Sequence, residues 1–330
     1  MIIVGDIGAT KALLEFGTLV AGRWQPVFGR LYAVADYADF ASMMRACLRD
    51  AARQGHQDVA FAKACFGVAG PAFDNRVRMT NLGWVIDAAQ VSADFGIPEV
   101  RVVNDFAAAA HGVGLLQESD LVTLQQGVPL PHAPRLVLGA GSGLGIAYLA
   151  FDGVGYQVIP GEGGHAGFAP SNEDQMDLWR TLHQSFGRVS AEHVVSGPGL
   201  LRLYQFIVRS GRGGATASSA ISTPAEVSKA ALDGTDTACS RALDLFTACY
   251  GAVAGDHALA IMARGGVYIA GGIAAKILPR LLDGGFMAAF NDKGGHADAV
   301  RQCPVSVVVN HRLGLLGCAA LADTAPSAGD

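Results

Sequence analysis

Most short signatures that would classify a chain of 330 residues at sight are missing here. Its six cysteines, Cys47, Cys65, Cys239, Cys249, Cys303 and Cys318, form no Cys-x-x-Cys pair, and no His/Cys cluster has zinc spacing. That argues against a structural zinc or a dithiol redox centre. The thiols are expected to be reduced and mostly buried, as in a cytoplasmic protein. The phosphate-binding pattern GxxxxGK[ST] is absent, and so is the dinucleotide fingerprint GxGxxG. No basic run occurs, and 24 basic against 29 acidic residues give a net charge of −5, so neither nucleic acid nor an anionic membrane is an expected partner. The longest uncharged apolar stretch, Leu136 to Phe151, is too short and too rich in glycine to span a bilayer. The opening Met1-Ile2-Ile3-Val4-Gly5-Asp6 lacks a basic region and meets a carboxylate at once, so no secretory signal is expected.

What the chain does have is apolar mass and glycine. Apolar residues make up 51% and charged residues 16%, enough to bury large cores and unlike a disordered chain. At roughly 150 residues per domain the length predicts two domains. The 43 glycines cluster rather than spread, which points to backbone loops that approach a ligand.

The first cluster, Gly5-Asp6-Ile7-Gly8-Ala9-Thr10, reads as a turn between the strands Met1–Val4 and Ala12–Phe16. Small residues let backbone N–H groups approach an anion, and Asp6 within such a loop suits a Mg²⁺ ion held directly or through water. An ordinary hairpin turn explains the same residues. The second, Gly139-Ala140-Gly141-Ser142-Gly143-Leu144-Gly145, joins the strands Arg135–Leu138 and Gly145–Phe151, with Ser142 adding a hydroxyl. The third, Gly271-Gly272, follows the strand Val267–Ala270 and precedes a helix, an arrangement that suits close approach to a nucleotide. Three such turns without either common nucleotide signature resemble the plan of the hexokinase, actin and heat-shock ATPase superfamily, in which two duplicated halves close on a nucleotide.

Elsewhere the expected elements are a broken helical pattern from Asp39 to Arg53, a buried strand from Val59 to Val68 and turn signals from Asn81 to Asp87 around Trp84. An alanine-rich helix is expected from Phe106 to Leu116, a mobile Gly/Ser/Ala-rich loop from Arg209 to Ser222, and a helix start at Thr223-Pro224-Ala225-Glu226. A last strand is expected at Val305–Val309, a last helix at Gly314–Leu321, and a frayed tail at Pro326–Asp330.

Two further constellations offer chemistry. Asn104-Asp105 closes the short strand Val100–Val103 and precedes a helix. An aspartate there can accept a proton from a hydroxyl attacking a γ-phosphate, while both residues also suit a helix N-cap. Gly161-Glu162-Gly163-Gly164-His165 places a carboxylate and an imidazole three residues apart, and Glu192 follows Ser190-Ala191. Such groups can hydrogen-bond a polyol, or stand in a surface turn and a first helical turn respectively.

With these residues assembled, the chain resembles the bacterial glucokinase family, the ATP-dependent group typified by the enterobacterial enzyme. The matching segments run in order through Gly5-Asp6-Ile7-Gly8, Thr80-Asn81 with Trp84, Asn104-Asp105-Phe106, Gly139 to Ala147 and Pro160 to His165. They continue through Val189 to Glu192, Ser196 to Leu200, Gly265 to Ile273, Asp292-Lys293-Gly294 and Gly314 to Gly317.

The resemblance implies an α/β fold of two ribonuclease H-like (actin-like ATPase) domains around a central cleft. The smaller would comprise 1–110 with 304–330, the larger 111–303, and the protein would usually be a homodimer. It implies Asp105 as the base on the 6-hydroxyl of glucose. Asn104, Glu162, His165 and Glu192 would bind other hydroxyls. Gly5, Asp6, Gly8, Ala9, Thr10 and Lys11, with Gly139, Gly141, Ser142 and Gly143, would lie along the phosphates of ATP. Gly271 and Gly272 would lie beside the adenosine, and Asp6 would hold Mg²⁺.

The chain departs from the family pattern at Ala9, where glycine is usual, at Lys11 for asparagine and at Leu13 for arginine. ROK-type sugar kinases carry Thr-Lys at the same place. Gly295 stands where arginine is common, and Asp256-His257 lies where the family varies, with His257 expected to pack or face solvent. If position 9 needs a left-handed backbone, alanine costs about 1 kcal/mol there. Departures on the nucleotide side with an intact sugar side leave a rival reading, a glucose-binding sensor with weak phosphotransfer. Glucose-dependent ADP release separates the two.

Overall fold

The period-two alternation of side chains along the first strands sets up two faces, one for each of two cores. In the computed structural model, β1 (Ile2–Ile7) directs Ile3 and Ile7 into a cluster with Leu14, Phe66 and Met43, and Val4 into another with Cys65, Ala108, Leu315 and Cys318. The structure describes residues 1–79, 82–212 and 221–324. Thr80-Asn81, most of the expected loop after Arg209 and the expected tail at Pro326–Asp330 lie outside them.

The chain divides into two units, Met1–Gln117 with the segment from Arg312 onward, and Glu118–His311. The first unit contains β2 (Lys11–Val20), β3 (Arg23–Ala33), α1 (Phe40–Arg53) and β4 (Lys63–Val68). A small sheet of β5 (Ala72–Phe73), β6 (Arg76–Arg78) and β7 (Val85–Asp87) follows, then α2 (Ala88–Phe95), β8 (Glu99–Asn104) and α3 (Asp105–Gly112). The main sheet has the order β3-β2-β1-β4-β8, with β1, β4 and β8 parallel and the β2–β3 hairpin antiparallel. Asp39 caps α1 in a reciprocal box with Ser42, and the helix buries Phe40, Met43, Met44 and Cys47 against one face of this sheet. That helix is unbroken, because its apolar residues keep one stripe.

The second unit runs β9 (Leu121–Gln125), β10 (Arg135–Ala140), β11 (Leu144–Phe151), β12 (Tyr156–Gly161), α4 (Glu173–Phe186), α5 (Ala191–Val194), α6 (Gly197–Arg209) and α7 (Pro224–Leu232). It continues with α8 (Thr237–Ile261), β13 (Gly266–Ala270), α9 (Gly271–Lys276), α10 (Leu278–Leu282), α11 (Gly285–Asn291), α12 (Ala297–Arg301) and β14 (Val305–Val308). Its sheet has the order β12-β11-β10-β13-β14-β9. β10, β13 and β14 are parallel, and β11 and β12 form an antiparallel hairpin at one side. Apart from the extra edge strand β9, this repeats the strand plan of the first unit. Thr223 caps α7 with Glu226 closing the box and Pro224 in the first turn, as the sequence predicts.

The chain returns to the first unit as α13 (Leu313–Asp323). This helix packs on α3 with almost no side chain between the two backbones, because Gly317 lies against the Ala108 carbonyl where a Cβ has no room. Glu15 on β2 fixes the start of α13. It is 6% exposed, accepts from Trp24 Nε1 at 2.9 Å and pairs with Arg312. Glu15 is buried while Arg312 is partly exposed, so removing Glu15 mainly takes the acceptor from the half-buried Trp24 indole N–H. Glu15→Leu is therefore expected to lower unfolding free energy by about 1–3 kcal/mol, measured by urea denaturation, and an unchanged midpoint would contradict this account.

Several boundaries differ from expectation. The turn after β1 covers only 8–10, since Gly5 and Asp6 pair with both β2 and β4. The strand expected from Val59 begins at Lys63, where pairing with Glu99 starts. α3 ends at Gly112 and passes into a 3₁₀ turn, Val113–Leu115. The six cysteines are free and buried. Among the described residues no helix is long and apolar enough to cross a membrane.

Candidate active site

In the first unit the parallel strands bring two carboxylates to their carboxyl ends. Asp6 is the second-to-last residue of β1 and points to the α3/α13 face, the face Val4 occupies two residues earlier. A Cβ at Gly314 in the first turn of α13 would stand 3.0 Å from Asp6 Oδ2, so glycine there leaves room for the carboxylate. Beneath it the Cys318 thiol donates to the Gly5 carbonyl at 3.4 Å. Burial, and then the charge of Asp105, push Asp6 up to about 6.

Asp105 opens α3, and Asn104 caps it. Asn104 Oδ1 accepts from the N–H groups of Phe106 and Ala107 at 2.9 and 3.0 Å. Asn104 Nδ2 donates to the Gly70 carbonyl at 3.0 Å and to Asp105 Oδ1 at 3.1 Å. Phe106 N–H also donates to Asp105 Oδ1 at 2.8 Å. Of the two open readings of the pair the structure shows the cap: Asn104 caps α3, and its amide also holds Asp105. One oxygen of Asp105, Oδ1, is pinned by the Phe106 N–H and the Asn104 amide. Burial raises the Asp105 pKa, and the hydrogen bonds from Phe106 and Asn104 partly hold it down.

The glycine turn beside Asp6 is built differently from its expected form. Gly5 and Asp6 spend their backbone groups in the sheet, so position 6 can reach a ligand only by its side chain. Glycine at 5 serves packing: a Cβ there would stand 2.8 Å from Leu14 Cδ2 and Phe66 Cδ1. Gly8 N–H closes the turn onto the Lys11 carbonyl at 3.0 Å. Ala9 does not have a positive φ, so the condition under which alanine would be costly there is not met. Thr10 and Lys11 are exposed.

The second unit gathers the remaining candidates around one residue, Leu144. The turn between β10 and β11 is Gly141-Ser142-Gly143, closed by Gly141 N–H on the Gly143 carbonyl at 2.8 Å, while Gly139 lies inside β10. Glu192, in the first turn of α5, accepts from Leu144 N–H at 2.8 Å, and its carboxylate fills the space a side chain at Gly143 would need. Gly164 lies against the Leu144 carbonyl. Gly197 N–H donates to the Gly141 carbonyl at 2.8 Å, tying the start of α6 to the same turn. Ala191 N–H donates to Ala166 O at 2.9 Å, and Gly167 bridges Ser190, so the segment carrying Glu162 and His165 runs beside the one carrying Glu192. Glu162 Oε2 and His165 Nε2 are 3.9 Å apart and both exposed. Gly271, at φ 84°, comes so close to β10 that a Cβ would stand 2.6 Å from Ala140 O, and Gly272 follows it with open space.

The candidates therefore fall into two sets. Asp6, Gly8, Ala9, Thr10, Lys11, Asn104 and Asp105 belong to the first unit, and the second-turn glycines, Glu162, His165, Glu192, Gly271 and Gly272 to the second. Sequence reasoning missed Leu144 as the hub, Gly314 and Cys318 beside Asp6, and the ring of His257 beside Gly163, because each acts through a contact distant in the chain.

Among the described residues no group of three or more His, Cys, Asp or Glu is placed to hold a metal ion. Asp6 offers one half-buried carboxylate, with Asp105 near enough for its charge to be felt. That fits a hard cation which takes one or two carboxylates and completes its shell with water and substrate phosphate.

Two mixed sheets of one strand plan, with carboxylates and glycine turns at strand ends, make this an α/β protein of the kind that binds ligands outside the carboxyl ends of its strands. The sequence profile of the glucokinase family matches residues 3–325. A glucokinase from Nostoc sp. is 37% identical over 338 residues, covering 97% of this chain and 98% of its own. A solved glucokinase from an Antarctic psychrotroph aligns with a TM-score of 0.84 at 30% identity, covering 97% of this chain and 98% of its own. At fold level, a ROK-family glucokinase from Streptomyces griseus, solved with glucose and AMPPNP, aligns with a TM-score of 0.66 at 22% identity, covering 97% and 98%. The chain belongs to the glucokinase family.

Proposed function

We propose that the chain transfers the γ-phosphoryl group of ATP to the 6-hydroxyl of glucose, giving glucose 6-phosphate and ADP. The observation that carries this reading is Asp105, with one oxygen pinned by Phe106 and Asn104 and the other left to take a proton. Full-length relatives named glucokinase support it, as does the complex of the Streptomyces protein with glucose and AMPPNP.

In this mechanism the bond from sugar O6 to Pγ forms as the bond from Pγ to the β,γ-bridging oxygen breaks. The hydroxyl proton passes late to Asp105 Oδ2, because the phosphoryl group is largely dissociated before the oxygen needs to lose it. Burial keeps Asp105 more basic than an ordinary aspartate, which suits that acceptance. Asn104 holds the base in place. Its amide already spends both N–H bonds on Gly70 and Asp105, so a sugar contact there shares engaged atoms. Glu162, His165 and Glu192 offer acceptors and a donor to other hydroxyls. With the Gly8 N–H engaged, the first turn offers an anion the Ala9 and Thr10 amides and the Lys11 ammonium. The second turn offers Ser142, and Gly271–Gly272 lies beside the adenosine. Asp6 would hold Mg²⁺, whose chemistry is to neutralise charge on the phosphate oxygens.

The shared strand plan supports reading each unit as a ribonuclease H-like domain of the actin-like ATPase kind. From the family the proposal also takes a cytoplasmic setting and a homodimer. The rival reading, a glucose-binding sensor with weak phosphotransfer, rests on the departures at Ala9, Lys11, Leu13 and Gly295, and the backbone of Ala9 lends it no support, since residue 9 is not in the left-handed region.

Glucose titration by calorimetry tests the sugar set. Glu162→Gln and Glu192→Gln are each expected to weaken glucose binding by about tenfold, the loss of one charge-assisted hydrogen bond. Wild-type affinity in both variants would remove these residues from the sugar site.

A further inference from the structure

His257 lies on α8, where the surrounding helix is largely buried, and its ring is half-buried. Its Nδ1 is 2.7 Å from the hydroxyl of Tyr148 on β11. Its Cε1 lies 3.1 Å from the point a Cβ at Gly163 would occupy, and Tyr148 Cε2 lies 3.8 Å from the corresponding point at Gly161. The two rings therefore sit under the first and third residues of Gly161-Glu162-Gly163, on either side of Glu162. The neighbouring Asp256 is engaged as well, paired at 3.1 Å with Lys293, whose side chain is 8% exposed. This fixes the rotation of α8 at the point where His257 leaves it. A histidine adds something an aliphatic residue would not, a polar bond that locks the tyrosine ring and its own ring in one arrangement.

We propose that His257 and Tyr148 form a hydrogen-bonded platform that positions the Gly161–His165 turn for glucose, making both of them positioning residues that set sugar affinity. The inference rests on the reading of that turn as sugar-binding. Neither residue takes part in phosphoryl transfer, so their loss acts on sugar binding and leaves the nucleotide side alone.

Steady-state kinetics on the full-length protein tests this with His257→Leu, Tyr148→Phe, the double variant, His257→Gln and Glu162→Gln. His257→Leu and Tyr148→Phe are each expected to raise KM for glucose by about fivefold to tenfold, with kcat and KM for ATP within about twofold of wild type, the pattern of lost uniform binding. The double variant is expected to match the worse single one, since both cut the same bond, and His257→Gln to recover part of the loss by keeping a polar partner for Tyr148. If Glu162→Gln raises KM for glucose but His257→Leu and Tyr148→Phe only lower the melting temperature, the platform is ordinary core packing and the inference fails alone. If Glu162→Gln also leaves KM for glucose unchanged, the turn does not bind sugar and both readings fall.

Discussion

Asp105→Asn is expected to lower kcat by about 10²–10⁴, the usual worth of a general base, while glucose binding stays within about twofold of wild type. The substitution is nearly silent for the fold. Its Oδ1 can still accept from Phe106 N–H and Asn104 Nδ2, the bonds that hold position 105. What changes is the other atom, which becomes an amide nitrogen that donates and cannot take a proton. Because burial raises the Asp105 pKa, the acidic limb of the wild-type rate profile should sit above the range of an exposed aspartate. In the variant only the limb set by the ionisation of Asp6 should remain. Stopped-time product assays across pH, with calorimetry of glucose binding, check both parts. Near-normal turnover in Asp105→Asn would mean that the base is another group.

Asp6→Asn is expected to do opposite things to activity and stability. Its carboxyl has a folded pKa of about 6 against an ordinary value of 3.8. An acid with a raised folded pKa binds more protons folded than unfolded, so its contribution to stability falls as pH rises between those values. Above about pH 6 the ionised group destabilises the fold by about 1–3 kcal/mol, allowing for its partial exposure, and the penalty fades as pH drops towards 4. The neutral amide escapes it. Urea denaturation at pH 8 should therefore show the variant more stable than wild type, with the gap closing near pH 4. Phosphoryl transfer should fall by roughly a hundredfold, the scale of losing one preorganised electrostatic partner. Added Mg-ATP should stabilise wild type and do so far less for the variant. A variant less stable than wild type at pH 8 would show that Asp6 has structural partners that outweigh its burial.

These effects trace to features that were unevenly legible in the sequence. Asn104-Asp105 was readable, because a short β-branched strand ending in cap residues has few local solutions. The Thr223–Glu226 box was readable for the same reason. β3 was not, because an edge strand with most side chains exposed lacks alternation. α8 gave no clear helical stripe, since apolar residues surround it on most sides. The family resemblance supplied the order of the site residues, and residue chemistry alone left each as a cap, a turn or a ligand. What no local pattern could give was contact between distant segments. Glu192 on Leu144 N–H, Gly314 at Asp6 and His257 beneath Gly163 depend on how strands and helices pack. The same holds for Ala9, whose departure from glycine looked costly until its backbone conformation was known.

The central claim is tested most directly by ³¹P NMR of the purified protein with Mg-ATP, recorded with and without glucose. The account predicts glucose 6-phosphate and ADP appearing together in equal amounts when glucose is present, and negligible ADP without it. Glucose binding by calorimetry with no sugar phosphate formed, or ADP release independent of glucose, would contradict it.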